Sequence, residues 1–349
     1  PQPKRTRVKS AGPLIPGRAG HFCVSPVPLH KQDGTLRQQN EAQQWTMVNF
    51  LKKWQAELRM TFTGHPQSTP DWVLRLAEGN DPGYHLPGSA VWAVHGSMST
   101  IIAGIRVLLM QSLHPGALAG VYDHSGFKRD PLGRLANTIR WIFTVSYGSM
   151  DAAHTATHFV RRVHDSVKGN YVDAQGQTRE YSANDPELLR WVHVAYADSF
   201  VTAHRIWGGA VPGGADAYIR EWAQAGRLMG VEDPPLSLAE VTAEMDQWYA
   251  SGHLRADERL RETIEFIRYP PLKASLQPGY RILFAAAVAS LEPRYRELLG
   301  LEKARIGPIP LPAILAARVV LAVVRLTLGR SGPSEQAARK RLRRLGYEA

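Results

Sequence analysis

Cysteine is almost absent from this sequence: the 349 residues contain only Cys23. An intrachain disulfide and a cysteine-based metal cluster are therefore excluded, and such cysteine usage fits a reducing compartment. Strand-like alternation of polar and apolar residues is rare, and no fixed-period repeat occurs. Also missing are a Gly-rich phosphate loop, a Gly-x-Ser-x-Gly elbow and any zinc-finger, RNP or helix-turn-helix signature. We therefore expect neither nucleotide-dependent nor acyl-transfer chemistry, and no nucleic-acid binding.

Acidic residues are scarce at both ends of the chain. Residues 1–20 carry five cations and no acid, and residues 330–349 carry a net +4, so only about +2 of the formal +11 lies between them. We divide the chain into a basic Pro/Gly-rich arm (1–35), a single helical domain (36–330) and a basic tail (331–349). Residues 1–20 also lack the apolar core of a secretory signal. We expect a cytoplasmic protein whose basic ends permit peripheral contact with an anionic membrane.

Apolar residues recur at helical spacing through most of the chain, which predicts an all-α fold. A helix is expected near 40–60 and another, strongly apolar, over about 89–113. Asp130-Pro131 is expected to start a helix that closes at Gly148, and Ser149 to cap the next one, which ends at Gly169. A polar loop with a small hairpin around Gly176 follows. The remaining predicted helices run from Asp185-Pro186 to Gly208-Gly209 and near 214–229, 237–252, 258–267, 276–289 and 309–329.

His164 is the most informative single residue. Ala156, Val160, Val163 and Val167 form one apolar stripe on its helix, and His164 lies about 40° from Val160. Its imidazole is therefore expected to point into the seam between helices and to need a partner there. It is either a core histidine bonded to a carbonyl or a ligand of a metal or haem iron.

A series of short motifs occurs in a consistent order through residues 85–330. They are Leu113-His114-Pro115, Ala119-Gly120-Val121, Asp130-Pro131-Leu132-Gly133-Arg134 with Thr138, Val163-His164, Val167-Lys168-Gly169 and Tyr181-Ser182-Ala183-Asn184-Asp185-Pro186. In these motifs the chain resembles the MpaB-type oxygenase family, which is also the catalytic-domain family of the rubber-cleaving latex clearing proteins. The resemblance implies a globin-like helical core that binds haem b through one proximal histidine, which falls on His164. Its characterised members use dioxygen on isoprenoid carbon–carbon double bonds.

The resemblance also places an essential arginine and threonine at Arg134 and Thr138. The guanidinium would donate to a haem propionate or to iron-bound oxygen, and the hydroxyl would face the distal side. From the residues alone, the same pair can be structural, with the threonine bonded back to a helix carbonyl. Latex clearing proteins can offer a lysine just before that threonine as a sixth ligand, whereas this chain has Asn137. A lysine-capped resting state is therefore not expected here.

Two further residues are candidates for the cofactor site. His193 shares an apolar stripe with Phe200 and is a core histidine, a distal or propionate-binding group, or an alternative ligand. Arg106 is a cation inside an apolar run and needs a haem propionate or an acidic side chain as its partner. His154 and His158 have the spacing of a zinc pair, but the glutamate that a metalloprotease needs between them is missing.

The segment 310–328 is apolar but carries Arg318 and Arg325 on one stripe. It is a terminal core helix, an interfacial helix lying on a membrane, or a bilayer span.

The sequence thus predicts a haem b-dependent oxygenase that activates dioxygen to oxidise or cleave a hydrophobic, isoprenoid- or lipid-like substrate. The alternatives are a haem-binding sensor or carrier without turnover, and a cofactor-free protein that interacts with membrane surfaces. Substrate identity, distal ligand and oligomeric state are not decided by the sequence.

Overall fold

The computed structural model describes residues 69–124, 131–329 and 331–347, all of which belong to one compact unit. The predicted arm and the predicted helix near 40–60 lie outside these ranges. The all-α prediction is confirmed. The helices are α1 (Asp71–Leu74), α2 (Ala90–His95), α3 (Thr100–Gln111), α4 (Pro115–His124), α5 (Pro131–Tyr147), α6 (Met150–Asp165), α7 (Pro186–Ala203), α8 (Ala215–Met229), α9 (Leu238–Ala250), α10 (Glu258–Arg268), α11 (Gln277–Ala289), α12 (Pro293–Leu298), α13 (Ala313–Leu328) and α14 (Pro333–Arg344).

Local capping explains where several helices begin. Ser149 accepts a hydrogen bond from the Ala152 amide and starts α6, and Asp185 accepts from the Glu187 amide and starts α7, both as predicted. The prediction of one helix over about 89–113 was wrong, because this segment forms two helices, α2 and α3. Gly96 ends α2, and the Ser97 hydroxyl accepts from the Ser99 amide, which competes with a continuous helical ladder.

The core is centred on α3 and α7, which pack along each other. Ile102 and Leu109 of α3 and Val194 and Val201 of α7 are fully buried there. Helices α8 to α11 surround this pair, and α13 packs on α11. Burial of apolar side chains at about 25 cal/mol per Å² is what holds the helices together, because helical propensity alone stabilises them little.

A small hairpin follows α6, as predicted around Gly176. It pairs β1 (Lys168–Val172) with β2 (Thr178–Ser182) in antiparallel register, and α4 packs against β1. The Asp173 carboxylate accepts from the Gln175 and Gln177 amides and thereby fixes the turn, in which Gly176 has a positive φ of 81°. A second, two-residue hairpin joins β3 (Arg305–Ile306) to β4 (Ile309–Pro310) just before α13.

Residues set apart as a basic tail on charge alone belong to the folded body. In α14, Ala338, Arg341 and Leu342 are fully buried. The Arg341 guanidinium donates to the backbone carbonyls of Leu76 and Tyr147 and so connects α14 with the start and the middle of the domain. This buried arginine is tolerated because charge-assisted hydrogen bonds to carbonyls replace its lost hydration and the nearby Asp81 charge favours its protonated form.

Among the described residues, no individual helix combines the length and the apolar character needed to cross a bilayer. Only α3 and α4 together reach that length and composition, and they are bent by 107° relative to each other.

Candidate functional site

His164 lies in the last turn of α6 and turns inward, but not in the way the predicted stripe implied. The buried residues of α6 are Ala153 and Thr157, whereas Val163, expected in the seam, is 46% exposed. Thr157 is seven residues before His164, so the two share a face about 20° apart. Trp141 of α5 donates to the Thr157 hydroxyl at 3.1 Å. The helix is thus rotated so that His164, not Val163, points towards its neighbours.

The imidazole of His164 has an unused nitrogen in a buried position. Its Nδ1 is buried and makes no hydrogen bond of good geometry with a described residue. Burial lowers the pKa of His164, although the nearby Asn184 side chain and Ala183 backbone partly offset this, and the Arg134 charge lowers it further. His164 is therefore neutral at pH 7, which is the form that can bind a metal ion.

Arg134, on α5, lies close enough to His164 for its charge to act on the imidazole. Its Nη1 donates to the Val121 carbonyl of α4 at 3.5 Å, a long bond. Burial lowers the pKa of Arg134 to about 10, so it still carries its charge at neutral pH. The Thr138 side chain is exposed, and its hydroxyl donates to the Arg134 carbonyl at 3.2 Å. The structure therefore places Arg134 within electrostatic range of His164 and shows Thr138 with the bond to its own helix that the structural interpretation expected.

Asn184 connects the end of α6 with the hairpin. Its Nδ2 donates to the Asp165 carboxylate at 2.7 Å and to the Arg161 carbonyl at 3.2 Å. Its Oδ1 is buried and, like the His164 Nδ1, has no partner of good geometry. An imidazole N–H and an amide oxygen are complementary, so a small movement of either side chain would pair them. Asn184 belongs to one of the sequence motifs, but the sequence alone indicated no role for it.

Tyr181 fits between two glycines of the same motifs. A Cβ on Gly169 would lie 3.1 Å from the Tyr181 ring, and one on Gly120 would lie 3.4 Å from it. The ring can therefore pack closely on both β1 and α4 only because both residues are glycine. The Tyr181 hydroxyl is buried with no hydrogen-bond partner among the described residues, and burial raises the Tyr181 pKa. Tyr181 could be found from the sequence motifs but not from the periodicity of apolar residues.

Arg106 is paired within the protein. Its Nη2 lies 2.8 Å from the Asp198 carboxylate of α7, and its Nη1 donates to the Ser290 carbonyl and hydroxyl. Of the two partners considered for this cation, the structure thus shows the acidic side chain, and its charge is compensated without a propionate.

His193 lies in the packing between α7 and α8. A Cβ on Gly226 would be 2.9 Å from its ring. Burial lowers the pKa of His193 to about 4, and the charges of Arg190 and Arg227 contribute. In the described ranges no hydrogen bond or ion pair connects His193 with His164 or Arg134.

Other buried histidines provide a comparison. Both nitrogens of His95 have partners, the Ser146 hydroxyl at 2.6 Å and the Tyr218 hydroxyl at 3.1 Å. Within the described ranges, the Nε2 atoms of His85 and His204 are buried and have no hydrogen-bond partner, and the same is true of Nδ1 of His164. An unpartnered nitrogen alone therefore does not single out His164. What distinguishes it is its proximity to Asn184 and the effect of the Arg134 charge on it.

A cleft of about 430 Å³ opens beside Asn184, between α6 and α8. Its lining includes the side chains of His154, His158, Arg161 and Arg162 and the acidic side chain of Asp165. In the described part of the chain, no group of three or more histidine, cysteine or acidic residues is arranged to hold a metal ion. With three ionised side chains beside Asn184, this cleft is not an apolar channel for a hydrophobic substrate.

Comparison with known proteins identifies the family of this chain. The family model described as ER-bound oxygenase mpaB/B′/rubber oxygenase, catalytic domain, matches residues 92–343. The chain belongs to this family. The match includes every residue of the His164 site named above and continues through most of α14, so this oxygenase catalytic domain extends beyond the boundary at 330 that charge had suggested. No curated protein and no solved structure matches the chain.

Proposed function

We propose that this member of the mpaB/rubber oxygenase family binds haem b through His164 and uses it to oxidise or cleave a hydrophobic substrate with dioxygen. The observation that carries the proposal is that two separate chain segments act on the His164 imidazole at the end of α6. Arg134 comes from α5, and Asn184 comes from the loop after the hairpin, whose Tyr181 packs against Gly120 of α4.

The residues at the site fit a haem. His164 offers a neutral imidazole: with its Nδ1–H donating to Asn184, the lone pair of Nε2 would be the donor that iron requires. Arg134 offers a partly buried cation, and in the described ranges no carboxylate forms an ion pair with it. A haem carries carboxylates that such a cation can hold. A haem b held by one histidine supplies an iron that binds and activates dioxygen.

The neighbouring side chains have separate tasks in this proposal. Asn184 would orient the His164 ring by accepting from its N–H, since histidine ligands are commonly held in this way. Arg134 would fix the cofactor's carboxylate or donate to the oxidant. Thr138 must turn its hydroxyl away from the Arg134 carbonyl to act at the site, so its role depends on a rotation about χ1. A hydrophobic substrate is proposed because the family description names a rubber oxygenase, and rubber is an apolar polymer.

Absorption spectroscopy of His164→Ala tests the proposal. We expect the purified full chain, reconstituted with haemin, to show a Soret band and the variant to lose it. The helical circular dichroism should remain because Ala153 and Thr157 still pack α6. His158→Ala is the matched control, because His158 is an exposed histidine on the same helix. Full haem occupancy in His164→Ala would refute the assignment.

The same preparation distinguishes the alternatives. A wild-type chain that binds no haemin would be a cofactor-free protein. A chain that binds haem but consumes no oxygen with candidate alkenes would be a sensor or carrier.

A further inference from the structure

Helix α13 has two opposite apolar faces. The inner face, formed by Ala313, Ala317, Leu321 and Val324, is buried. The outer face consists of Leu315, Val319, Val323 and Leu326, which are 59, 65, 46 and 85% exposed. At 3.6 residues per turn these four side chains fall within an arc of about 80°. We call this outer set the α13 apolar face.

The hairpin before α13 adds to the exposed apolar surface. Ile306 and Ile309 are opposite each other in the β3–β4 register and are 69 and 67% exposed, and Leu311 is 41% exposed. The Leu311 amide donates to the Ala304 carbonyl at 2.8 Å, so the hairpin leads directly into the helix. Water-exposed aliphatic side chains at this density are uncommon on a soluble monomer and usually mark a surface that another phase or molecule covers.

The charged residues of the segment that carries the apolar face, residues 303–334, are of one sign. Arg305, Arg318 and Arg325 are exposed, and residues 303–334 contain no aspartate or glutamate. Arg318 and Arg325 lie on one flank of the face, and Arg318 is held there by a hydrogen bond to the Ile206 carbonyl. A second copy docking face to face would bring these cations together without an acid from the segment between them. An anionic surface complements them.

We propose that the α13 apolar face and the Ile306–Ile309 hairpin form a docking surface for an anionic lipid bilayer. The helix would lie in the plane of the interface with its four aliphatic side chains among the acyl chains. Arg318 and Arg325 would extend to lipid phosphates, since long cationic side chains keep their charge at the headgroups. This inference needs no haem and does not rest on the proposed function, although it would place the protein where hydrophobic substrates dissolve.

Vesicle flotation of the full chain tests the surface. We expect binding to vesicles of phosphatidylcholine mixed with phosphatidylserine and weaker binding to phosphatidylcholine alone. The triple variant Leu315→Gln, Val319→Gln and Leu326→Gln should lose at least about tenfold in partitioning, because apolar burial supplies most of the interfacial affinity. A matched triple variant at exposed apolar sites elsewhere, Leu74→Gln, Leu86→Gln and Val172→Gln, should bind like the wild type. Arg305→Gln with Arg325→Gln should reduce the preference for anionic vesicles.

An environment-sensitive dye shows whether the face itself enters the bilayer. In a Cys23→Ser background, a dye on Leu326→Cys should brighten and shift to the blue with anionic vesicles, whereas one on Val172→Cys should not. Absence of wild-type binding to anionic vesicles, undiminished binding by the first triple variant, or an unchanged dye at residue 326 would each overturn the proposal. So would a lipid-free dimer that the first triple variant converts to a monomer, because that face would then bind a second copy.

Discussion

Arg134 carries a positive charge into a partly buried position, where its side chain has one long hydrogen bond to a described residue, the Val121 carbonyl. A buried cation without a carboxylate is costly, and proteins keep such groups where a ligand supplies the opposite charge. At the scale of single residues, Arg134 therefore supports the assignment of the site as strongly as His164 does.

We expect Arg134→Met to lower oxygen consumption, or haem retention, by about ten- to a hundredfold, because a charge-assisted hydrogen bond contributes roughly 1.5–3 kcal/mol. Arg140→Met on the same helix is the control, since Arg140 is exposed. The measurements are oxygen uptake and the Soret spectrum. Equal, negligible effects of both variants would show that Arg134 is structural.

Some residues of the candidate site could be predicted from the sequence, and the others became apparent only in the structure. The motifs led to His164 and Arg134, which the structure places within electrostatic range of each other, but periodicity placed Val163 on the wrong side of α6. The partner of Arg106 is Asp198, 92 residues away, and its identity could not be obtained from the apolar run around Arg106. Asn184 and Tyr181 stood in the motifs, yet their roles became apparent only from the two unpaired atoms and the two glycines around them.

At the scale of elements, the hairpin is positioned by close packing and not by its own strand pairing. A two-stranded hairpin is marginal by itself. This one is held against α4 because Tyr181 packs on Gly120 and Gly169.

Gly169→Ala should therefore destabilise the protein by about 1–3 kcal/mol, because its Cβ would press on the Tyr181 ring. Gly104→Ala is the matched control and should stabilise the protein. Apart from the backbone of its own helix, no atom of the described residues lies within 4 Å of the new Cβ, and alanine in a helix interior adds about 0.5–1 kcal/mol to stability. Urea unfolding measures both. The double variant Gly169→Ala with Tyr181→Leu should recover part of the loss, and no recovery would locate the strain elsewhere.

At the scale of the whole molecule, several buried histidines make stability depend on pH. Burial lowers the pKa values of His85, His114 and His193 to about 4 each. The unfolded chain has ordinary values near 6.5, so it binds more protons than the folded chain between about pH 6.5 and 4. The free energy of unfolding therefore falls as the pH falls through that window, with about 2 kcal/mol lost per histidine at pH 5.

Urea midpoints at pH 7 and pH 5 check this expectation. His114→Asn should reduce the difference between the two midpoints by the contribution of one buried histidine. His158→Asn changes an exposed histidine and should leave the difference unchanged. Equal midpoints for the wild type at both pH values would contradict the linkage.

The sequence alone determined what depends on neighbours within a few residues. The starts of α6 and α7 at Ser149 and Asp185 and the turn at Gly176 follow from hydrogen bonds and backbone preferences that are complete within about four residues. The all-α class follows from helical periodicity over the whole chain. The family motifs are likewise local, and their order was sufficient to indicate an oxygenase fold.

Only the tertiary structure decided which face of each helix is covered. Whether Thr157 or Val163 is buried depends on where Trp141 lies, and α14 belongs to the domain because Arg341 reaches carbonyls more than 190 residues away in sequence. Burial and ion pairing depend on distance in space, and chain segments far apart in sequence meet only after folding. Helix α13 shows the opposite outcome. Its sequence is apolar on both sides, as in a core helix, but the fold buries one side and leaves the other exposed.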